Sequence, residues 1–319
     1  MKHPRSLAGM ASDFPRGVDH LICRVSFESR SLSVAGALAS TVRETIAFHS
    51  KDASVLAAAN LEQLRRSISV SLRQLDISDP LSTADAMLEL ATEIFGRPDS
   101  VSVIDVTAFR REELLILIRM LAFLAEKRPI PPCTLAYVGA AGMAEGWLSR
   151  NTTECRSVIG FAGDMKLSRP THMVVMLGFE VERAVSLIEA YEPSKITIGI
   201  GHEDESISPE LHARNKEFLA TISAVYGKTG QFKFSLRDPE KTMLELDSTI
   251  LTDKDSNFVV APLNNKLSTI GAGMLALRRR DIQICYASVA EYNEATYSSP
   301  REDVYLLELS AILERISYD

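Results

Sequence analysis

Residues 19–30 read DHLICRVSFESR and residues 171–183 read THMVVMLGFEVER. Each is a short apolar run that stops at Phe-Glu, with an arginine soon after: Arg30 beyond Glu28, and Arg183 beyond Glu180. Laying Phe27 on Phe179 and Glu28 on Glu180 also lays His20 on His172, at an offset of 152 residues. A short continuous apolar run between polar boundaries is the pattern of a buried strand. One chain therefore ends the same strand twice, half its length apart.

Working outward, strands and helices alternate. The first half predicts a strand at 19–26, a helix from Leu32 to about His49, and a short strand or helix piece at 55–60. A period-two strand at 67–75 follows, then a helix from Thr83 to Phe95, capped by Ser82 and closed by Gly96 and Pro98. A strand at 100–106, a helix from Arg110 to Lys127 and a strand at 133–139 complete it. The second half predicts strands at 171–177, 195–201, 231–237, 257–263 and 282–289. Its helices run to 191 after a turn at 178, from Pro209 to Tyr226, from Pro239 to Thr252 and from near Ser268.

The element order of the two halves agrees. Ala136-Tyr137 falls on Cys285-Tyr286 and Glu145 on Glu294, at an offset of 149, while the strand between drifts to about 157. Such a rhythm implies an α/β fold: two tandem Rossmann-like units with mainly parallel sheets and helices on both faces. The expected division is a mobile N-terminal leader at 1–18, a first unit at 19–150 and a second at 151–319.

Composition narrows the class. Lys and Arg number 35 against 42 Asp and Glu, a formal charge of −7, which argues against an extended nucleic-acid surface. The most apolar run, Leu114 to Ala125, is 12 residues long and carries Arg119, too short for a membrane span. The four cysteines are scattered without CxxC pairing, so no metal site and a reduced, cytoplasmic setting are expected. His202-Glu203-Asp204-Glu205 reads as a flexible acidic loop, the basic run Arg278 to Arg280 as a solvated helix end, and Trp147 as core or a junction anchor. No GxGxxG follows the first strand, and GxxxxGK[ST], GxSxG and HExxH are absent, so no cofactor is expected.

In doubly wound folds, ligands bind beyond the carboxyl ends of the strands, where helix N-termini present free N–H groups to anions. Glu28 and Arg30, and Glu180 and Arg183, occupy that place after the first strand of each half. Asp105 and Thr107 follow a later strand of the first half; Asn264, Asn265, Lys266, Ser268 and Thr269 follow one in the second, with Gly271 and Gly273 behind them. Plainer readings stand beside these: ion pairs at strand ends and on a helix face, Asp105 and Thr107 as helix caps, and 264–269 as a helix-start loop.

A strand, then a polar loop with Lys266 and Thr269, then a small-residue helix resembles the sensor domains of the CRISPR-associated Rossmann fold (CARF) group. The SAVED domains of bacterial anti-phage systems, with two such units in one chain, are similar. The resemblance spans most of residues 19–295, and Asn265-Lys266-Leu267-Ser268-Thr269 carries chemistry like that family's Gly-Gly-Thr-Lys signature in a different order. It implies a nucleotide pocket at the loops after the first and fourth strands. The expected function is binding of a nucleotide or other phosphate-bearing ligand in bacterial defence or signalling, with a partner effector protein or as a homo-oligomer. The alternatives are a nucleotide-directed hydrolase or transferase using Glu28 and Glu180 as acid–base carboxylates, and a non-catalytic scaffold subunit.

Overall fold

The computed structural model describes residues 4–76, 78–227 and 229–316. The chain divides into two units: Met1–Met143 with Glu294–Glu314, and Ala144–Asn293 with Arg315–Asp319. In the first run β1 (Arg5–Ser6), a 3-10 helix (Leu7–Asp13), β2 (Val18–Arg24), α1 (Ser33–Leu38), β3 (Val42–Ser50) and α2 (Val55–Ser67). Then come β4 (Val70–Leu75), α3 (Pro80–Phe95), β5 (Ser102–Asp105), α4 (Arg111–Ala125) and β6 (Cys133–Met143). The second unit holds β7 (Ser149–Ser157), β8 (Thr171–Met176), α5 (Val181–Tyr191), β9 (Lys195–Gly201), α6 (Pro209–Tyr226) and β10 (Gly230–Phe234). It continues with α7 (Pro239–Ile250), β11 (Asn257–Pro262), α8 (Lys266–Arg278) and β12 (Ile282–Tyr292). The chain then returns to the first unit for β13 (Ser298–Glu308) and α9 (Leu309–Glu314).

The sheets are ordered β1-β13-β6-β5-β2-β3-β4 and β10-β9-β8-β11-β12-β7. Counting parallel strands from the first in each unit, both read 3-2-1-4-5, the Rossmann order without its sixth strand. The edge beyond the fifth strand is closed by an antiparallel one, β13 on β6 and β7 on β12. β7 follows β6 but joins the second unit's sheet, and β13 follows β12 but joins the first unit's.

The registers make the repeat quantitative. His20 pairs with Ser102 and His172 with Phe258, so Ser102 and Phe258 hold equivalent places, as do Asp105 and Ala261. Ser102 pairs with Cys133 and Phe258 with Ile282, which places Tyr137 on Tyr286. Met143 pairs with Ser298 and Tyr292 with Ser149, so the two closing strands begin with equivalent serines. The strand residues that match in sequence thus match in register, Tyr137 with Tyr286 among them.

Several expectations change. The helix expected from Leu32 to His49 is helical only over Ser33–Leu38; Val42–Ser50 is a strand between β2 and β4. Its Ile46-Ala47-Phe48 is buried without alternation, as suits a strand covered on both faces. Residues 55–60 open helix α2, capped by Ser54. α3 is capped not by Ser82 but by Asp79, which accepts from Leu81 N and Ser82 N ahead of Pro80.

The division of the chain is also redrawn. From Arg5 the expected leader is part of the first unit: β1 pairs with β13 and Met10 is fully buried, while residues 1–3 lie outside the described residues. The boundary falls at 143/144, and 294–314 belong to the first unit because β13 completes its sheet. Cys23, Cys133 and Cys285 are buried and Cys155 partly so, all free thiols. Among the described residues no helix is long and apolar enough to cross a membrane.

Candidate functional site

In the first unit the chain leaves β2 through a turn held from both sides. Ser26 Oγ accepts from Glu28 N, and Asn60 on α2 donates to the carbonyls of Ser26 (2.8 Å) and Phe27 (3.1 Å). Glu28 Oε2 receives Arg30 Nε at 2.7 Å and the Ser298 hydroxyl at 2.5 Å. Arg30 NH1 donates to Val138 O (3.2 Å), and Thr107 Oγ1 accepts from Val138 N (2.9 Å), so one residue of β6 is gripped by both loops. Asp105 Oδ1 accepts from Thr107 N at 3.0 Å. Neither Asp105 nor Thr107 caps α4, whose N-cap is Arg110.

Arg30, Asp105 and Thr107 are buried, and Glu28 is largely shielded, its side chain 10% exposed. Burial alone would lower the Arg30 pKa, but the Glu28 carboxylate together with Tyr137 and Tyr297 outweighs it and holds the guanidinium above its ordinary value. Burial pushes the Asp105 carboxyl up to about 7, against the Thr107 hydrogen bonds and the Arg30 charge. The result is a cluster in which one carboxylate is ion-paired and the other titrates near neutrality.

The second unit repeats half of this. Glu180 Oε1 receives the Ser149 hydroxyl at 2.5 Å, and Arg183 lies 3.3 Å from the carboxylate, on the Tyr292 hydroxyl (3.0 Å) and over Tyr286 and Tyr292. The fourth-strand partners are replaced, Asp105 by Ala261 and, two residues on, Thr107 by Leu263. There the two loops close on each other. Leu263 N donates to Met176 O, Asn264 Nδ2 donates to Leu177 O (2.7 Å), and a Cβ on Gly178 would stand 2.3 Å from Leu263 O.

The loop expected to cradle phosphate is therefore used by the fold. Asn265 caps α8 by accepting from Ser268 N and donates to Leu236 O. The hydroxyls of Ser268 and Thr269 donate to Asn265 O, and both residues are fully buried. Lys266 is half-exposed at the first position of α8. Gly271 packs against Pro239 and Thr242 of α7, so its helix is buried.

Sequence reading missed a polar cleft of about 70 Å³ in the first unit, at the carboxyl ends of β2 and β3. Arg24, His49, Ser50, Asp52, Ser54, Arg110 and Glu294 contribute its polar lining. Arg24 is buried, with Nε 2.8 Å from Glu113 and NH2 on the Ser50 hydroxyl (2.7 Å), and α2 begins at the cleft with Ser54. The signal was a lone arginine at the end of the first strand, hidden by reading β3 as helix. Such a cavity admits a phosphate-sized group; a pocket for a whole ligand is several times larger.

Other singled-out groups serve the fold. Buried His172 bridges Asp253 (3.0 Å) and Thr197 (2.8 Å), whereas His20 meets Glu44 and Arg97. The acidic 203–205 stretch is fixed by Glu205, which accepts from Ser235 and Leu236 N, and Arg279 is paired with Asp247 and Asp281. Among the described residues no group of three potential ligands is arranged for a metal. Trp147 is not core: it is 40% exposed.

No family model matches this chain. No curated protein matches it either. Among solved structures, Haemonchus contortus phosphoethanolamine N-methyltransferase 1, in complex with phosphoethanolamine and S-adenosylhomocysteine, is similar over 85% of this chain and 75% of that one. The identity is 8% and the TM-score 0.27, a likeness too slight to carry an argument about function.

Proposed function

We propose that the chain is a ligand-binding module whose first unit holds the phosphate of a small nucleotide-type ligand, and that it acts through a partner protein. The setting is bacterial defence or signalling, as in the CARF and SAVED sensors it resembles. The cleft at the carboxyl ends of β2 and β3 carries the reading: Arg110 and the N-terminus of α2 offer donors to an anion there, beside Arg24, which is held by Glu113, and the carboxylates of Asp52 and Glu294. Asp52, just past β3, lies where an acidic residue suits sugar hydroxyls. The hydrolase alternative loses support because Glu28 and Glu180 are each engaged by an arginine and a serine within their own unit.

Calorimetry with inorganic phosphate, AMP and a panel of cyclic nucleotides tests this. A charge-assisted hydrogen bond is worth about 1.5–3 kcal/mol, so Arg110→Ala should weaken binding by about one to two decades. Lys266→Ala should leave it unchanged. Equal affinity in Arg110→Ala and the parent, or no binding of any of these ligands, would overturn the assignment.

A further inference from the structure

We infer that Trp147, in the second unit, is a stacking platform for the planar ring of a nucleobase. It is the chain's single tryptophan and stands 40% exposed, two residues before β7. Ser149, which opens β7, reaches Glu180, so Trp147 lies at the carboxyl edge of that sheet. The Arg150 guanidinium sits 4.4 Å from the indole centroid, and Arg150 is itself fixed by Glu291 at 2.7 and 2.6 Å.

The backbone beneath the ring is held with unusual thoroughness. Arg214 donates to Ala144 O (2.7 Å) and Gly146 O (2.6 Å). Asn293 donates from Nδ2 to Trp147 O (3.1 Å) and from its backbone N to Leu148 O (2.9 Å). A loosely held loop could fold a large apolar ring away from water; this one is pinned with its ring exposed. Indole plus guanidinium is the combination on which bases stack, through π overlap and the cation. Beside it Asn151 and Arg150 converge on Glu291, a polar rim suited to a base edge. The other exposed large apolar residues of this unit, Met165, Leu167, Val225, Leu244 and Leu251, are not aromatic and offer no such surface.

This ring site is read separately from the phosphate cleft. With only one tryptophan, selective excitation reports this position alone. Adenosine, which has no phosphate, should quench the emission saturably, as should AMP, while inorganic phosphate should not. By calorimetry, Trp147→Ala should weaken adenosine binding by about tenfold or more, and Trp147→Phe should retain most of it. No quenching by adenosine, guanosine, cytidine or AMP would overturn the inference. So would a ligand-free emission shift that follows protein concentration together with a dimer in sedimentation, which would make Trp147 a contact between copies. Adenosine quenching without any phosphate binding would defeat the cleft and leave the platform; phosphate binding without quenching would do the reverse.

Discussion

The first unit and the second use the same three groups at the end of the first strand and different ones at the end of the fourth. Glu28 with Arg30 and Ser298 answers to Glu180 with Arg183 and Ser149, down to the 2.5 Å hydroxyl contacts. Yet Asp105 and Thr107 answer to Ala261 and Leu263. In the first unit the gap between the loops is filled by polar side chains that grip β6 from the side; in the second the loops touch directly, with Gly178 against Leu263. The shared triad belongs to the architecture, since it anchors the start of the closing strand. The ends of the fourth strands are where the two units differ, polar in one and apolar in the other.

Removing a cation from the buried pairs should test the shared part most severely. Breaking a buried ion pair from one side costs about 3–5 kcal/mol. Arg183→Met should approach that in urea unfolding, because Glu180 is only 1% exposed in its side chain. Arg30→Met should cost less, the Glu28 side chain being 10% exposed. Equal losses would break the ranking.

Next in size is the loop closure. Gly178 matches Ser26 in the first unit, so Gly178→Ser imports a residue that the other unit tolerates. Its Cβ would still meet Leu263 O, and the overpacking should cost about 2–3 kcal/mol in the same assay. A neutral result would mean that the loops separate easily.

The serines come third. Ser149→Ala and Ser298→Ala each remove a hydroxyl donor to a buried carboxylate, at about 1.5–2 kcal/mol, with Ser149 the costlier. Matching urea midpoints would show that the two triads are equally buried in solution.

The smallest effect isolates the divergent part. Asp105 holds its proton up to about 7 in the fold and has an ordinary value of 3.8. Its raised pKa therefore stabilises the fold fully below that ordinary value, and the contribution is lost as pH rises through 7. Between pH 6 and pH 8 stability should fall by about 1.4 kcal/mol from this group alone, and Asp105→Asn should flatten that part of the profile. A mutant profile parallel to the parent's would place the titration elsewhere.

The strands legible in sequence were the apolar ones, and the offsets of 152 and 149 carried into strand registers because core strands conserve their pairing under burial. The closing strands were invisible: SRNTTECRS in β7 is polar and, past Ser149, exposed or half-exposed, and its order comes from the backbone of β12. β3 failed for another reason, because its buried Ile46-Ala47-Phe48 has no period to separate strand from helix. At the site, Glu28, Arg30, Asp105 and Thr107 converge as their placement at strand ends suggested. The donors of 264–269 misled because amides and hydroxyls that cap a helix are the same groups that bind phosphate.

The traded closing strands also set a schedule for synthesis. A ribosome that has released β6 leaves one flank of that strand with bare N–H and C=O groups until β13 emerges, more than 150 residues later. Open strand flanks recruit other chains, and pairings this distant along the sequence form slowly. The second unit's strands all lie within the continuous stretch 149–292, whereas the first unit's sheet waits for β13, so the nascent protein passes through a long interval in which its first unit is present but unsealed.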